Sequence, residues 1–141
     1  MRPIRLSTTD TPPPDAVALI SSGLDHFNID TTGINDRRAL AVLVHDKASG
    51  KVLGGLTGRT SLGLLFIDLV YLPANLRGVG LGADLLQMAE DEARQRGCKA
   101  GVLYTISFQA PGFYEKFGWQ RFGEIPCNPP GASRVFMTKT L

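Results

Sequence analysis

The stretch RGVGLGADLL, residues 77–86, sets Gly78, Gly80 and Gly82 at alternate positions behind Arg77 and then runs into a leucine-bearing segment. Three glycines weaken the start of any helix, because glycine loses the most backbone entropy on being fixed. An anion explains them. The first N–H groups of a helix lack partners inside it and carry partial positive charge, and missing side chains let a phosphate approach the backbone. A second chemical feature lies just upstream. Asp68 is the one charged residue between residues 62 and 76, and a carboxylate in an apolar strand is costly unless it is hydrogen-bonded, paired or open to solvent. It is either an alternation position at a strand edge or a group that faces a substrate.

These groups need elements to hold them. The run LGLLFIDLVYLP, ended by Pro73, reads as a strand covered on both faces. After the glycines, an amphipathic helix extends to about Arg96, with Leu81, Leu85, Met88, Ala89 and Ala93 on one face. Glu90–Arg94 and Glu92–Arg96 are favourable i,i+4 pairs, and Gly97 stands where a C-terminal cap is expected. Upstream, PIRL reads as a short first strand and TDTPPPD as a breaker that starts a helix at about Asp15. NIDTTGIND is a loop or a second short helix. RALAVLVHD and KVLGGLTGR form a hairpin across KASGK. Downstream follow a strand (AGVLYTI), a short helix (PGFYEKFG), a strand (WQRFGEI), a loop (PCNPPGAS) and a final strand (RVFMTKTL). This order predicts an α/β fold in a single domain over residues 1–141, built on one mixed, mostly antiparallel sheet of six or seven strands with helices on both faces.

Composition narrows the partners. With 141 residues, 43% hydrophobic and 20% charged, the chain is an ordinary globular protein. A net charge of +2 without a basic run gives no footprint for nucleic acid. Cys98 and Cys127 have no metal-ligand spacing, and His26 and His45 stand alone, so no metal site is expected. No signal-peptide core follows MRPIRLSTTD, and no apolar run is long enough to span a bilayer. The expectation is a cytoplasmic protein with no membrane partner.

Several phosphate ligands fit a glycine-rich helix start. Gly78, Gly80 and Ala83 satisfy a dinucleotide fingerprint, but PANLR separates the first glycine from the strand, and the next strand ends without a carboxylate. A nucleotide P-loop fails because no Lys-Ser or Lys-Thr follows. A turn that only permits close packing stays open. A further reading uses more of the chain. Arg77, Gly80 and Gly82 meet the pattern Arg/Gln-x-x-Gly-x-Gly/Ala, and SFQAPGFYEKFGW places Ala110, Tyr114, Glu115, Lys116 and Gly118 in register with a second motif. Over residues 37 to 125 the chain resembles the GNAT superfamily of acetyl-CoA-dependent N-acetyltransferases.

That resemblance implies the following expectations. The backbone of Val70, Tyr71 and Leu72 pairs with the pantetheine arm of acetyl-CoA. The segment Arg77, Gly78, Val79, Gly80, Leu81 and Gly82 holds the pyrophosphate, and Ala110 and Tyr114 border the cofactor. Ser107 stands where many members carry a cofactor-contacting asparagine. Tyr114 is the expected general acid for the leaving thiolate, since a phenol titrates near about 10. Asp68 is expected to hold the acceptor's ammonium or relay its proton through water. Direct abstraction by a carboxylate near about 3.9 from an ammonium near about 10.4 faces a gap of roughly 9 kcal/mol. The implied activity is acetyl transfer to a primary amine by direct attack in a ternary complex. A non-catalytic acyl-CoA-binding module is the alternative. Residues 15–36 and the PCNPPGAS loop are the expected acceptor-specificity regions, the acceptor itself is not legible, and a homodimer is left open.

Overall fold

The computed structural model describes residues 3–141. Contacts divide the chain into a unit ending at Asn35 and a unit from Asp36 to Leu141.

In the first unit, residues 3–6 do not form the expected strand. Pro3 supplies no N–H, and an extended run is stable only when its backbone groups find ladder partners; Ile4 and Leu6 are exposed. Helix α1 spans Pro14–Thr32, longer than expected, with a proline in its first turn. It stops where Gly33 turns left-handed (φ 74°) and donates its N–H to Ile29 O at 2.7 Å.

The second unit contains β1 (Arg38–His45), β2 (Val52–Ser61), β3 (Leu64–Tyr71), a 3-10 turn (Ala74–Leu76), α2 (Leu81–Gln95), β4 (Ala100–Ile106), α3 (Pro111–Lys116), β5 (Gln120–Pro126) and β6 (Ser133–Thr140). The strands form one mixed sheet of six, ordered β1-β2-β3-β4-β6-β5. Every strand read from the hairpin onward forms, and the run at residues 3–6 is the one that does not. Among the described residues only β3 and β4 pair parallel, because α2 carries the chain back across the sheet between them.

The buried side chains explain why these elements close on each other. Leu40 and Val42 of β1, Leu56 of β2, Leu65 and Ile67 of β3, Leu103 of β4, and Val135 and Met137 of β6 join Leu85, Leu86, Ala89 and Ala93 of α2 in one core. Met88, expected on the apolar face of α2, is exposed, and Leu86 and Glu90 are buried instead. The buried stripe is therefore rotated from the one read by spacing. The strand β3 also departs from expectation. Leu65 and Ile67 are buried, but the strand is exposed from Asp68 onward, so it is not covered on both faces. A continuous apolar run cannot distinguish these cases, because the uncovered side is decided by other elements.

A buried polar cluster fixes α2 to the far half of the sheet. The carboxylate of Glu90, 2% exposed, accepts from Lys139 Nζ at 2.7 Å, Trp119 Nε1 at 3.3 Å and Arg94 Nη2 at 3.4 Å. Buried charge is tolerated when it is paired and hydrogen-bonded in this way. The Trp119 ring lies so close to Gly101 that a Cβ there would come within 2.5 Å of a ring carbon. At the other end of α2, Arg96 Nη1 donates to Ala39 O and Thr60 Oγ1, each at 3.1 Å, and so ties the helix to β1 and β2.

Adding one methyl at Gly101 tests this packing. Gly101→Ala is expected to destabilise the fold by about 1–3 kcal/mol through overpacking, lowering Tm by roughly 3–10 °C in a thermal melt. An unchanged Tm would mean that Trp119 does not press on β4.

Candidate active site

The parallel pair is short. Leu64–Ile67 of β3 registers with Ala100–Leu103 of β4, and there the pairing ends. Past that point, β3 continues along β2 to Tyr71 and β4 continues along β6 to Ile106. The two strands part at their C-terminal ends, where open α/β sheets bind ligands. Asp68 is the extra residue in a register shift between β2 and β3, and such bulges bend and twist a strand. Backbone N–H and C=O groups of residues 68–71 that face β4 are thus left without a ladder partner, ready for an extended ligand to pair as an added strand.

A groove of about 690 Å³ occupies the opening. Asp68, Val70, Tyr71, Leu72, Arg77, Ala110 and Tyr114 all line it, as do Tyr104, Thr105, Phe108, Gln109, Phe113 and Arg134. The first seven are among the residues the sequence points to; Gly78, Val79, Gly80, Leu81, Gly82 and Ser107, which it also points to, are not among the lining residues. The sequence does not point to the other lining residues, since each reaches the groove through the parting of the strands, which no local pattern reports. None of His26, His45 and the two cysteines lies among the lining residues.

At one end stands the start of α2. Gly78 (φ 78°) and Gly80 (φ 90°) are left-handed, and space is open where each would carry a Cβ. Gly80 is the N-cap, and no side chain caps the helix. Intrahelical bonding begins with Asp84 N–H on Gly80 O at 3.1 Å, which leaves the N–H groups of Leu81, Gly82 and Ala83 without an acceptor in the helix. This arrangement fits a phosphate cradle of chain atoms. Val79 is exposed beside it. Gly82 serves packing instead. A Cβ there would meet the Phe113 ring at 3.2 Å, so this glycine lets α2 and α3 approach. Arg77 Nε donates to Leu72 O at 2.8 Å, tying the glycine segment to the end of β3.

Tyr114 sits in the opposite wall. The residue is 8% exposed, and its ring meets Phe113 and Trp119 edge-on, with centroids 5.2 Å and 6.4 Å away. Trp119 N–H donates to Tyr114 O at 3.1 Å, so the Glu90–Trp119 contact also fixes the short helix that carries the phenol. Burial pushes the Tyr114 phenol above its ordinary value. It is therefore protonated at neutral pH and available to donate.

Asp68 is not isolated. Arg59 Nη1 lies 3.2 Å from its Oδ1, both side chains are about half exposed, and the Arg59 guanidinium covers the Phe66 ring at 4.4 Å. The strand carboxylate is thus satisfied by a cross-strand cation, in a contact worth little in water. Across the groove, the Arg134 guanidinium sits over the Tyr104 ring at 5.1 Å. Ser107 is occupied elsewhere: its Oγ accepts from Ser133 N at 3.0 Å and its N–H donates to Ser133 O at 2.8 Å, holding the loop after β4 to β6. The nearby polar side chain in the groove lining is Gln109, whose Oε1 accepts from Thr105 Oγ1 and Ile106 N, each at 3.0 Å.

Comparison with known proteins agrees with this geometry. The model of the acetyltransferase (GNAT) family matches residues 8–119. An acetyltransferase of Agrobacterium fabrum is 32% identical over 131 residues, covering 93% of this chain and 95% of that protein. The blasticidin-S acetyltransferase of Streptomyces morookaense is 40% identical over 93 residues, 65% of this chain and 68% of that protein. Among solved structures, an Agrobacterium tumefaciens acetyltransferase superposes with a TM-score of 0.88 at 30% identity, covering 98% of this chain and all of that one. The parted parallel strands, the uncapped glycine start of α2 and the match across most of the sequence lead to one assignment: the chain belongs to the GNAT family of acetyltransferases.

Proposed function

We propose that the protein transfers the acetyl group of acetyl-CoA to a primary amine, by direct attack of the amine within a ternary complex. The observation that carries this reading is the opening between β3 and β4, with unpaired backbone on one side, an uncapped helix start at one end and a buried phenol in its wall. The backbone of Val70, Tyr71 and Leu72 aligns the pantetheine arm. The N–H groups around Gly78 and Gly80 hold the pyrophosphate, and Gln109 supplies a polar contact in the place expected of Ser107. The amine nitrogen forms a bond to the thioester carbonyl carbon, the C–S bond breaks, and Tyr114 gives its proton to the departing sulfur. Asp68 orients the incoming ammonium, in exchange with Arg59; one nitrogen proton leaves through water before the attack, and the second, released as the amide forms, returns to the Tyr114 oxygen. The 40% identity to a blasticidin-S acetyltransferase makes blasticidin S the first acceptor to try.

The overall test is thiol release from acetyl-CoA with a panel of amines that includes blasticidin S. Amine-dependent release supports the proposal. A raised Tm with acetyl-CoA but no release with any amine supports a binding module instead.

Gly80→Val places a branched side chain at a left-handed position in the cradle. Acetyl-CoA binding is expected to weaken at least tenfold, about 1.4 kcal/mol, by calorimetry on the folded variant. Normal affinity would move the pyrophosphate away from this loop.

Tyr114→Phe keeps the ring and deletes the proton. It is expected to leave acetyl-CoA affinity nearly unchanged and lower kcat by about 10² to 10⁴ where chemistry limits the rate. Because burial raises the phenol, the wild-type rate is expected to show no loss from its deprotonation below pH of about 10. Undiminished turnover of the variant assigns the proton to another donor.

Asp68→Asn keeps the shape and removes the charge. The KM for a cationic amine is expected to rise, with acetyl-CoA affinity intact and a smaller effect on a neutral, low-pKa amine. Equal effects on both acceptors count against charge recognition.

A further inference from the structure

Among the described residues, the charged side chains that line the groove are Asp68, Arg77 and Arg134. Arg77 is tied to Leu72 O at the glycine end, and Asp68 meets Arg59 at 3.2 Å. The Arg134 guanidinium has no carboxylate partner among the described residues of the second unit. It lies over the Tyr104 ring, 5.1 Å from the centroid.

Sheet register brings Asp68 and Arg134 to one side of the opening. The last parallel pair is Ile67 with Leu103, so Asp68 and Tyr104 are the next residues on the two walls. Leu65, Ile67, Leu103, Val135 and Met137 point into the core. Alternation therefore turns Asp68, Tyr104, Arg134 and Phe136 to the other face of the sheet. The bulge at Asp68 does not change its side, since one Arg59 guanidinium both covers Phe66 and reaches the Asp68 carboxylate. Tyr104 thus stands between the carboxylate on one wall and the guanidinium on the other.

Charge at this end of the groove is unbalanced. Arg59 and Arg134 are two cations against the single carboxylate of Asp68. A bare ammonium that takes Asp68 from Arg59 faces two guanidiniums, and like charges repel. An acceptor that brings its own anion removes the imbalance. A guanidinium offers parallel N–H donors that match a carboxylate, and a ring beneath it holds the plane of that fork.

We propose that Arg134 is a specificity residue that binds a carboxylate of the acceptor, which makes the acceptor a zwitterion with its amine at Asp68 and its carboxylate at Arg134. Paired strands stand about 5 Å apart and diverging ones farther, so the two charges lie at opposite ends of the molecule rather than on one carbon. The inference rests on the amine-acetylation reading and names the substrate class of that same site.

The test compares thiol release with linear ω-amino carboxylates, from γ-aminobutyrate to ε-aminocaproate, each against the n-alkylamine of the same length. At least one carboxylate is expected to exceed its alkylamine in kcat/KM by about tenfold or more, mainly through a lower KM. Arg134→Gln is expected to cut that advantage to about twofold or less, with acetyl-CoA affinity by calorimetry intact. Arg134→Glu is expected to reverse it, so that the α,ω-diamine of the same length is used better than the amino carboxylate. A side chain that only packs on Tyr104 moves none of these ratios. Release with alkylamines and no carboxylate advantage in the wild type leaves acetyl transfer standing and overturns the inference. An advantage that survives Arg134→Gln, or acetyl-CoA affinity lost with that change, also overturns it. Should no amine release thiol, the transfer reading fails and binding decides the inference. Calorimetric binding of ε-aminocaproate to the wild type with coenzyme A present, lost in Arg134→Gln, supports it; equal binding to both or to neither overturns it. Should Arg134→Gln unfold, Arg134→Met keeps an aliphatic chain on the Tyr104 ring and puts the same question.

Discussion

Everything about this site depends on β3 and β4 ceasing to pair after Ile67 and Leu103. A parallel pair satisfies its backbone groups through the ladder only while the ladder continues, so its interruption leaves donors and acceptors with which an extended ligand can pair. The interruption has identifiable causes. The extra residue at Asp68 bends β3, while β4 stays bound to β6 through Ile106. The same crossover that makes the pair parallel returns the chain through α2, which brings an uncapped helix start to the end of the opening.

The walls of the groove are braced from beneath. Glu90 collects Lys139, Trp119 and Arg94, Trp119 fills the space left by the missing side chain of Gly101, and Tyr114 rests on Trp119. Gly82 lets Phe113 of α3 come against α2. The Tyr114 phenol, on a six-residue helix, takes its position from this chain of contacts rather than from the helix itself, which is too short to be stable alone. Burial then keeps the phenol protonated. Structure and chemistry meet in that one side chain.

Much of this is legible in the sequence. The hairpin of β1 and β2, the helix α2 with its Glu90–Arg94 and Glu92–Arg96 pairs at 3.4 Å and 2.9 Å, and the strands β4, β5 and β6 follow from local patterning. What stays hidden is what depends on tertiary register. Arg59 meets Asp68 across a bulged strand pair, and Arg134 and Gln109 reach the groove only because two strands separate. The apolar run of β3 reads alike whether one face or two are covered, and the run at residues 3–6 looks like a strand although no ladder takes it up. Glycines mislead in one case. Three at alternate positions suggest a shared role, but Gly78 and Gly80 stand open to a ligand while Gly82 serves packing.

The central claim is that acetyl-CoA completes the interrupted ladder and rests its phosphates on the start of α2. Backbone amide exchange, followed residue by residue with and without acetyl-CoA, tests it most directly. New protection is predicted at residues 69–72 and 78–83, with little change in β1 or at the far ends of β5 and β6. Binding that protects other segments and leaves these amides exchanging as before would contradict it.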